Sequence, residues 1–227
     1  MPHSPKPSDP GRDCPNCPRL VAYRCDNRAM APDWHNAPVD TWVSEAGDGD
    51  VRLLVVGLAP GVKGANRTGR PFTGDYAGDL LYATLARFGL ASGAYDARPD
   101  DTLALQRCAI TNAVRCVPPQ NKPTGSEINQ CRPYLQRTIA RFGNLAAIVT
   151  LGRIAHDSTL RALGERVASA PFGHDSAHHV GAYRIFSSYH CSRYNTNTGR
   201  LTPAMFEAVF ARAAEHIGET GGGASHG

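Results

Sequence analysis

"VRLLVVGLAPGVKGANRTGRPFTGDYAGDLLY", residues 51–82, decides how this chain folds. Its first seven residues form an apolar, β-branched run of the kind found in strands covered on both faces. A helical pattern opens near residue 76. Between them lies a glycine-rich loop with no acid before Asp75. A loop of this length between core elements is functional or disordered as a rule, and Phe72 with the tight "TGD" argues for order. A phosphate loop needs Gly-Lys-Ser/Thr at the start of the helix, whereas Lys63 here precedes Gly64. The dinucleotide pattern G-x-G-x-x-G is missing too. Both nucleotide readings of the loop therefore fall.

Working outward, three more runs read as buried strands: "RCAITNAV" (107–114), "LAAIVTL" (145–151) and "YRIFSSY" (183–189). Helical patterns lie between and after them, at about 76–89, 126–142, 152–163 and 202–217. Thr124 or Ser126 is expected to open the second of these. Thr202 is expected to cap the last, with Pro203 in its first turn. Strands alternating with helices predict a three-layer α/β/α sandwich around a four-stranded parallel sheet. In such sheets ligands bind beyond the carboxyl ends of the strands, where the polar loops begin.

The 227 residues suffice for one such domain. With 41% hydrophobic and 19% charged residues the composition is that of a globular protein, and a net charge of +4 is compatible with a polyanionic partner. "MPHSPKPSDPGRD" has no apolar core of a secretory signal, and no run approaches membrane-spanning length. A cytoplasmic protein is expected. Residues 1–13 and 218–227 read as mobile ends around a single domain, 14–217.

Seven cysteines without a signal argue against a disulfide framework. "CPNC" supplies Cys14 and Cys17; "CVPPQNKPTGSEINQC" runs from Cys116 to Cys131. Two such pairs can give four thiolates to one centre, and the spacing alone does not separate zinc from a [4Fe–4S] cluster. The alternative is that Cys116 and Cys131 are buried thiols and "CPNC" a redox pair. Cys25 and Cys108 read as core thiols.

Three separated features now coincide with "CPNC": "GLAPG…ANRTGRPFTGD…GDLLY", "TNAVRCVPP…C" and "HCSRYNTNTGRLT". Together they resemble the family 5 (B-type) uracil-DNA glycosylases over roughly residues 14–215. The resemblance implies a DNA-repair enzyme of base excision repair, a monomer whose partner is DNA containing uracil or other deaminated bases. It implies that Cys14, Cys17, Cys116 and Cys131 hold a [4Fe–4S] cluster. It makes Asp75 the catalytic carboxylate, with Gly57 and Ala59 in the substrate loop. The apolar Leu58-Ala59-Pro60 stands where family 4 enzymes carry an acid. By the same resemblance Phe72 stacks on the flipped base, Asn112 reads it, and His190 and Asn195 belong to the last motif. That motif departs from the family pattern, since Cys191, Arg193 and Tyr194 replace prolines and a leucine. "GVK" at 61–63 replaces a small-small-His sequence.

The chemistry suits these residue types. A base inside a duplex must be flipped out to be reached, and an aromatic such as Phe72 gives it a platform. The amide of Asn112 complements the N3–H and O4 of uracil. A carboxylate, Asp75, stabilises an oxocarbenium-like sugar or orients water, with Asp79 as competitor and helix capping as the plainer role for Asp75. His190 is typed to donate to the departing base. Arg193 and Tyr194 are placed to enter the DNA, and Arg67, Arg70 and Arg200 join Arg193 as candidate phosphate contacts. The alternative function is a non-catalytic or trapping uracil-DNA binding protein of the same fold, and a metal-dependent redox or nucleotide-handling protein is a further class.

Overall fold

A computed structural model describes residues 8–221. The strands are β1 (Trp42–Val43), β2 (Leu53–Gly57), β3 (Ala91–Ser92), β4 (Ala104–Leu105), β5 (Cys108–Asn112), β6 (Ala147–Leu151), β7 (Ala177–Val180) and β8 (Tyr183–Ser188). The helices are α1 (Pro18–Met30), α2 (Ala65–Thr68), α3 (Tyr76–Arg87), α4 (Gly125–Arg141), α5 (Arg153–Ala162), α6 (Arg193–Asn197) and α7 (Pro203–Gly221).

The main sheet runs β1-β5-β2-β6-β8-β7. Its centre is the expected set of four parallel strands, β5-β2-β6-β8. The sheet is wider than expected, because β1 and β7 add an antiparallel strand at each edge. β1 is two residues long, and β7 ("AHHV") is polar and partly exposed, so neither carries an apolar run.

Every residue of β2, β5 and β6 is buried because the sheet has a core on each face. Leu53, Val55, Ile110 and Val149 point toward α3 and α7, meeting Leu81, Leu85, Phe206 and Phe210. Leu54, Val56, Ala109 and Ile148 point the other way onto Leu135 and Ile139 of α4 and Leu160 of α5. Strict alternation between two apolar layers is why the strands read as unbroken hydrophobic runs. A third cluster, Leu20, Val114 and Cys131, seats α1.

Helix ends follow the local sequence. Thr124 Oγ1 accepts from Glu127 N–H, and the Glu127 carboxylate accepts from Thr124 N–H, closing a capping box. Thr202 Oγ1 accepts from Met205 N–H at the start of α7. α1 was not expected; Cys17 stands at its N-cap and Pro18 in its first turn.

The chain ends differ from expectation where they are described. Ser8 and Asp9 are buried. Asp9 Oδ1 accepts from Arg115 Nη1 at 2.6 Å and from the N–H and Oγ1 of Thr41, which fastens this segment to the domain. α7 extends through residues 218–221. The remainder of the expected mobile ends, 1–7 and 222–227, lies outside the described residues. Among those described, no helix is long and apolar enough to cross a membrane.

Candidate active site

The carboxyl ends of β2 and β5 are in register, Gly57 opposite Asn112. This pairing brings the first two motifs together. A Cβ on Gly57 would lie 2.5 Å from Phe72 Cζ and collide with Asn112 Oδ1. Gly57 is thus the floor beneath both side chains, and only glycine lets them converge there.

A cleft of about 840 Å³ opens above this floor. Its walls include Ala59, Phe72, Asp75, Asn112, His190, Arg193 and Tyr194, so most of the expected site residues share one space. Phe72 and His190 stack with ring centroids 6.0 Å apart and 27° between planes. Asn112 is buried, and its Oδ1 has no hydrogen-bond partner among the described residues.

Phe72 holds φ at 54°, left-handed backbone that a bulky residue adopts at a cost of about 1–3 kcal/mol. Tyr95 supports the turn, its hydroxyl donating to the Phe72 carbonyl at 3.3 Å and accepting from Gly74 N–H at 3.2 Å. Behind it, Arg70 makes two 2.7 Å bonds to the carboxylate of Asp101 and lies over the Trp42 ring at 4.7 Å. Arg70 is buried in this bracket and not available to phosphate, contrary to the sequence reading. Tyr95 and Asp101 carry no motif that marks them; their loop is placed only by folding.

Asp75 occupies the N-cap position of α3 yet makes no side-chain capping hydrogen bond. Its Oδ1 is buried without a partner among the described residues. Burial pushes its pKa above the usual carboxylate range, opposed by the nearby backbone N–H groups of Gly78 and Ala77. Asp75 thus stands at the N-cap without a geometric capping bond, although the N–H groups of Ala77 and Gly78 in the first turn of α3 lie close enough to favour its anion. The carboxylate lies over the "GVKG" turn: a Cβ on Gly61 would stand 3.0 Å from Oδ2, and one on Gly64 would overlap it. Asp79 lines the same cleft but is exposed.

His190 follows β8. One edge remains open to the cleft, but the depth of the ring lowers its pKa to about 4, so the imidazole is neutral at physiological pH. Asn195 does not line the cleft. Its Nδ2 donates to the His190 carbonyl at 2.8 Å, and it faces a neighbouring hollow beside Arg153, Tyr189 and Arg200. Cys191, at one of the altered positions, is buried with Sγ 3.5 Å from the Ala77 carbonyl, tying this loop to α3. Arg193 stacks over Tyr76 at 5.2 Å, and Tyr194 is 72% exposed. Arg67 bonds through Nε to the Lys63 carbonyl, and Arg200 lies 4.5 Å over Tyr189. Asn121 also reaches the cleft from the segment between Cys116 and Cys131. With Gln120 it has positive φ, 56° and 57°, a turn that the sequence did not reveal.

The four predicted ligands, Cys14, Cys17, Cys116 and Cys131, line one nearly apolar cavity between α1 and α4. Burial raises the pKa of Cys17 to about 11 and of Cys116 to about 12, and raises that of Cys131. Three of the sulfurs have a donor at hand. Arg115 N–H points at Cys131 Sγ (3.3 Å), Arg24 Nη1 at Cys116 Sγ (3.8 Å), and the Tyr134 hydroxyl is 3.7 Å from Cys14 Sγ. Among the described residues no group of three or more His, Cys, Asp or Glu side chains is placed to hold a metal ion. Four cysteines lining one cavity, with donors near three of the sulfurs, are the donor set that zinc or an iron–sulfur cluster takes. Cys108 is buried as expected, whereas Cys25 is exposed on α1 and is no core thiol.

The family model of the uracil DNA glycosylase superfamily matches residues 44–214. A type-5 uracil-DNA glycosylase of Thermus thermophilus is 41% identical over 209 residues, covering 90% of this chain and 94% of that protein. One from Pyrobaculum aerophilum is 38% identical, covering 91% and 90%. A type-4 uracil-DNA glycosylase from the same organism is 36% identical but covers only 53% of this chain and 55% of its own length. By family match and near full-length similarity to type-5 members, the chain belongs to the uracil DNA glycosylase superfamily.

Proposed function

We propose that this protein is a uracil-DNA glycosylase that hydrolyses the N-glycosidic bond of uracil, and of other deaminated bases, in DNA. The observation that carries this reading is a pair of buried oxygens without partners, Asp75 Oδ1 and Asn112 Oδ1, on residues that line one cleft. A buried polar atom without a partner calls for an explanation, and two of them in one cleft are accounted for by a bound base and water.

A flipped base enters above Gly57 and packs on Phe72; stacking of this kind is worth roughly 1–3 kcal/mol. Asn112 accepts from uracil N3–H and donates to O4. As the glycosidic bond lengthens, positive charge grows on the sugar and negative charge on the base. The Asp75 anion stabilises the first and orients water. Neutral His190 donates an N–H to O2 of the leaving base. Arg193 and Tyr194, on the rim, contact the DNA strand. Asn195 supports them through the His190 carbonyl.

Cys14, Cys17, Cys116 and Cys131 would hold a [4Fe–4S] cluster. Its contribution is structural, tying the N-terminal segment to the stretch between the second pair of cysteines. All the reacting groups belong to the cleft.

The test is DNA bearing a single uracil, incubated with the protein, treated with alkali and resolved on a gel. Strand scission is expected with uracil and with hypoxanthine or xanthine. No scission with any of them overturns the enzymatic reading; scission with uracil alone restricts the base range.

A further inference from the structure

Arg24 lies on α1, 3% exposed, along the wall of the four-cysteine cavity. Its Nη1 points at Cys116 Sγ (3.8 Å), its Nη2 donates to the Cys14 carbonyl (3.2 Å), and its Nε is buried with no partner. Among the described residues no carboxylate forms an ion pair with it. The nearby Asp13 is exposed and paired with Arg28. A guanidinium taken out of water without a counter-charge is costly. The other buried arginines obey this rule: Arg115 has Asp9 and Arg70 has Asp101. Arg24 faces only sulfur and a carbonyl. Its missing partner is therefore an anion formed within the cavity, and four thiolates around a metal core carry net negative charge.

We propose that Arg24 is the buried counter-cation of the four-cysteine centre, holding the cluster's negative charge and making it easier to reduce. This rests on the cluster reading given above. Charge and hydrogen bonds at the sulfurs are among the factors that set a cluster's potential, and removing a cation favours the more oxidised, less negative form.

The experiment uses the full chain, purified without air, as wild type, Arg24→Gln and Arg24→Lys. Iron, sulfide and zinc are measured per chain, then the cluster is titrated potentiometrically, following absorption near ~400 nm from iron–thiolate charge transfer. At a fixed solution potential, Arg24→Gln is expected to lower the reduced-to-oxidised ratio about tenfold, a shift of ~59 mV for one electron. Arg24→Lys, which keeps the charge, is expected to stay near wild type. If Gln loses the cluster on purification while Lys retains it, the counter-charge is needed for assembly, which supports the proposal. Equal potentials in all three proteins overturn it, as do equal shifts, or equal loss of iron, in both variants. A wild-type chain without iron and sulfide defeats the cluster reading itself, independently of the variants.

Discussion

The carboxylate of Asp75 and the backbone of Gly64 occupy adjoining space with no room for a methyl group between them. The glycines of "GVKG" therefore serve the acid that follows eleven residues later. Gly64→Ala is expected to displace Asp75 and lower turnover at least tenfold, with a smaller loss for Gly61→Ala, where the contact would be 3.0 Å. Gly125→Ala meets nothing within 4 Å and should behave as wild type. Single-turnover rates on uracil-DNA, beside melting curves, would show whether activity and stability separate in this order.

Asp75→Asn should reduce cleavage by roughly 10²-fold or more, the scale of losing one preorganised electrostatic group. DNA binding should persist in a gel-shift assay. The folded pKa of Asp75 is raised, so its favourable contribution to stability is present at acid pH and lost as pH rises through that pKa. The neutral amide escapes this loss. Asp75→Asn should melt higher at pH 7, by about 2–4 °C if ~1 kcal/mol is recovered. A variant both active and unshifted in melting would remove Asp75 from the mechanism.

His190 behaves oppositely. Its folded pKa of about 4 lies below the ordinary 6.5, so the unfolded chain takes up the proton first as pH falls. Its contribution is full above about pH 6.5 and declines toward pH 4. Urea unfolding at pH 7 and pH 5 should show a drop in stability that shrinks in His190→Asn. Cleavage should show no inflection near 6.5 attributable to this residue; one that disappears in His190→Asn contradicts a neutral donor.

The bracket behind Phe72 is open to a graded test. Arg70→Met leaves the Asp101 carboxylate with only the N–H groups of Asp96 and Leu103 and should cost about 2–3 kcal/mol in urea unfolding. Tyr95→Phe removes the hydroxyl between Phe72 and Gly74 and should cost about 1 kcal/mol. It should also slow turnover, because the platform loses its hold. Unchanged kcat in Tyr95→Phe would mean that the positive-φ turn supports itself.

Asn112→Ala should impair uracil more than hypoxanthine, since the amide matches the edge of uracil. Equal losses on both bases would make Asn112 a general positioning residue.

What the sequence disclosed follows from where physical signals are local. The four parallel strands are visible because burial on both faces leaves continuous apolar runs. β7 is hidden because an edge strand with one face open reads "AHHV". Phe72, Asp75, Asn112 and His190 are traceable because each stands in a motif at a strand end. Arg70 was misjudged because a charged residue in a loop reads as surface; its partner Asp101 comes from a separate loop, 31 residues away. Asn195 bonds to the His190 carbonyl within its own loop, a contact set by the turn and not by a residue type.

The four-cysteine cavity also has a schedule. Cys14 and Cys17 leave the ribosome first, and Cys116 and Cys131 follow only after three strands of the main sheet, β1, β2 and β5, have been made. At about 5–20 residues per second the interval is on the order of ten seconds. Through that interval the first thiols are a bare dithiol on a nascent chain. Arg115, whose side chain fastens Asp9, emerges just before Cys116. The clasp that holds the Asp9 segment to the domain is thus synthesised together with the second half of the cysteine set, so docking of that segment and completion of the cavity become possible at the same point of synthesis.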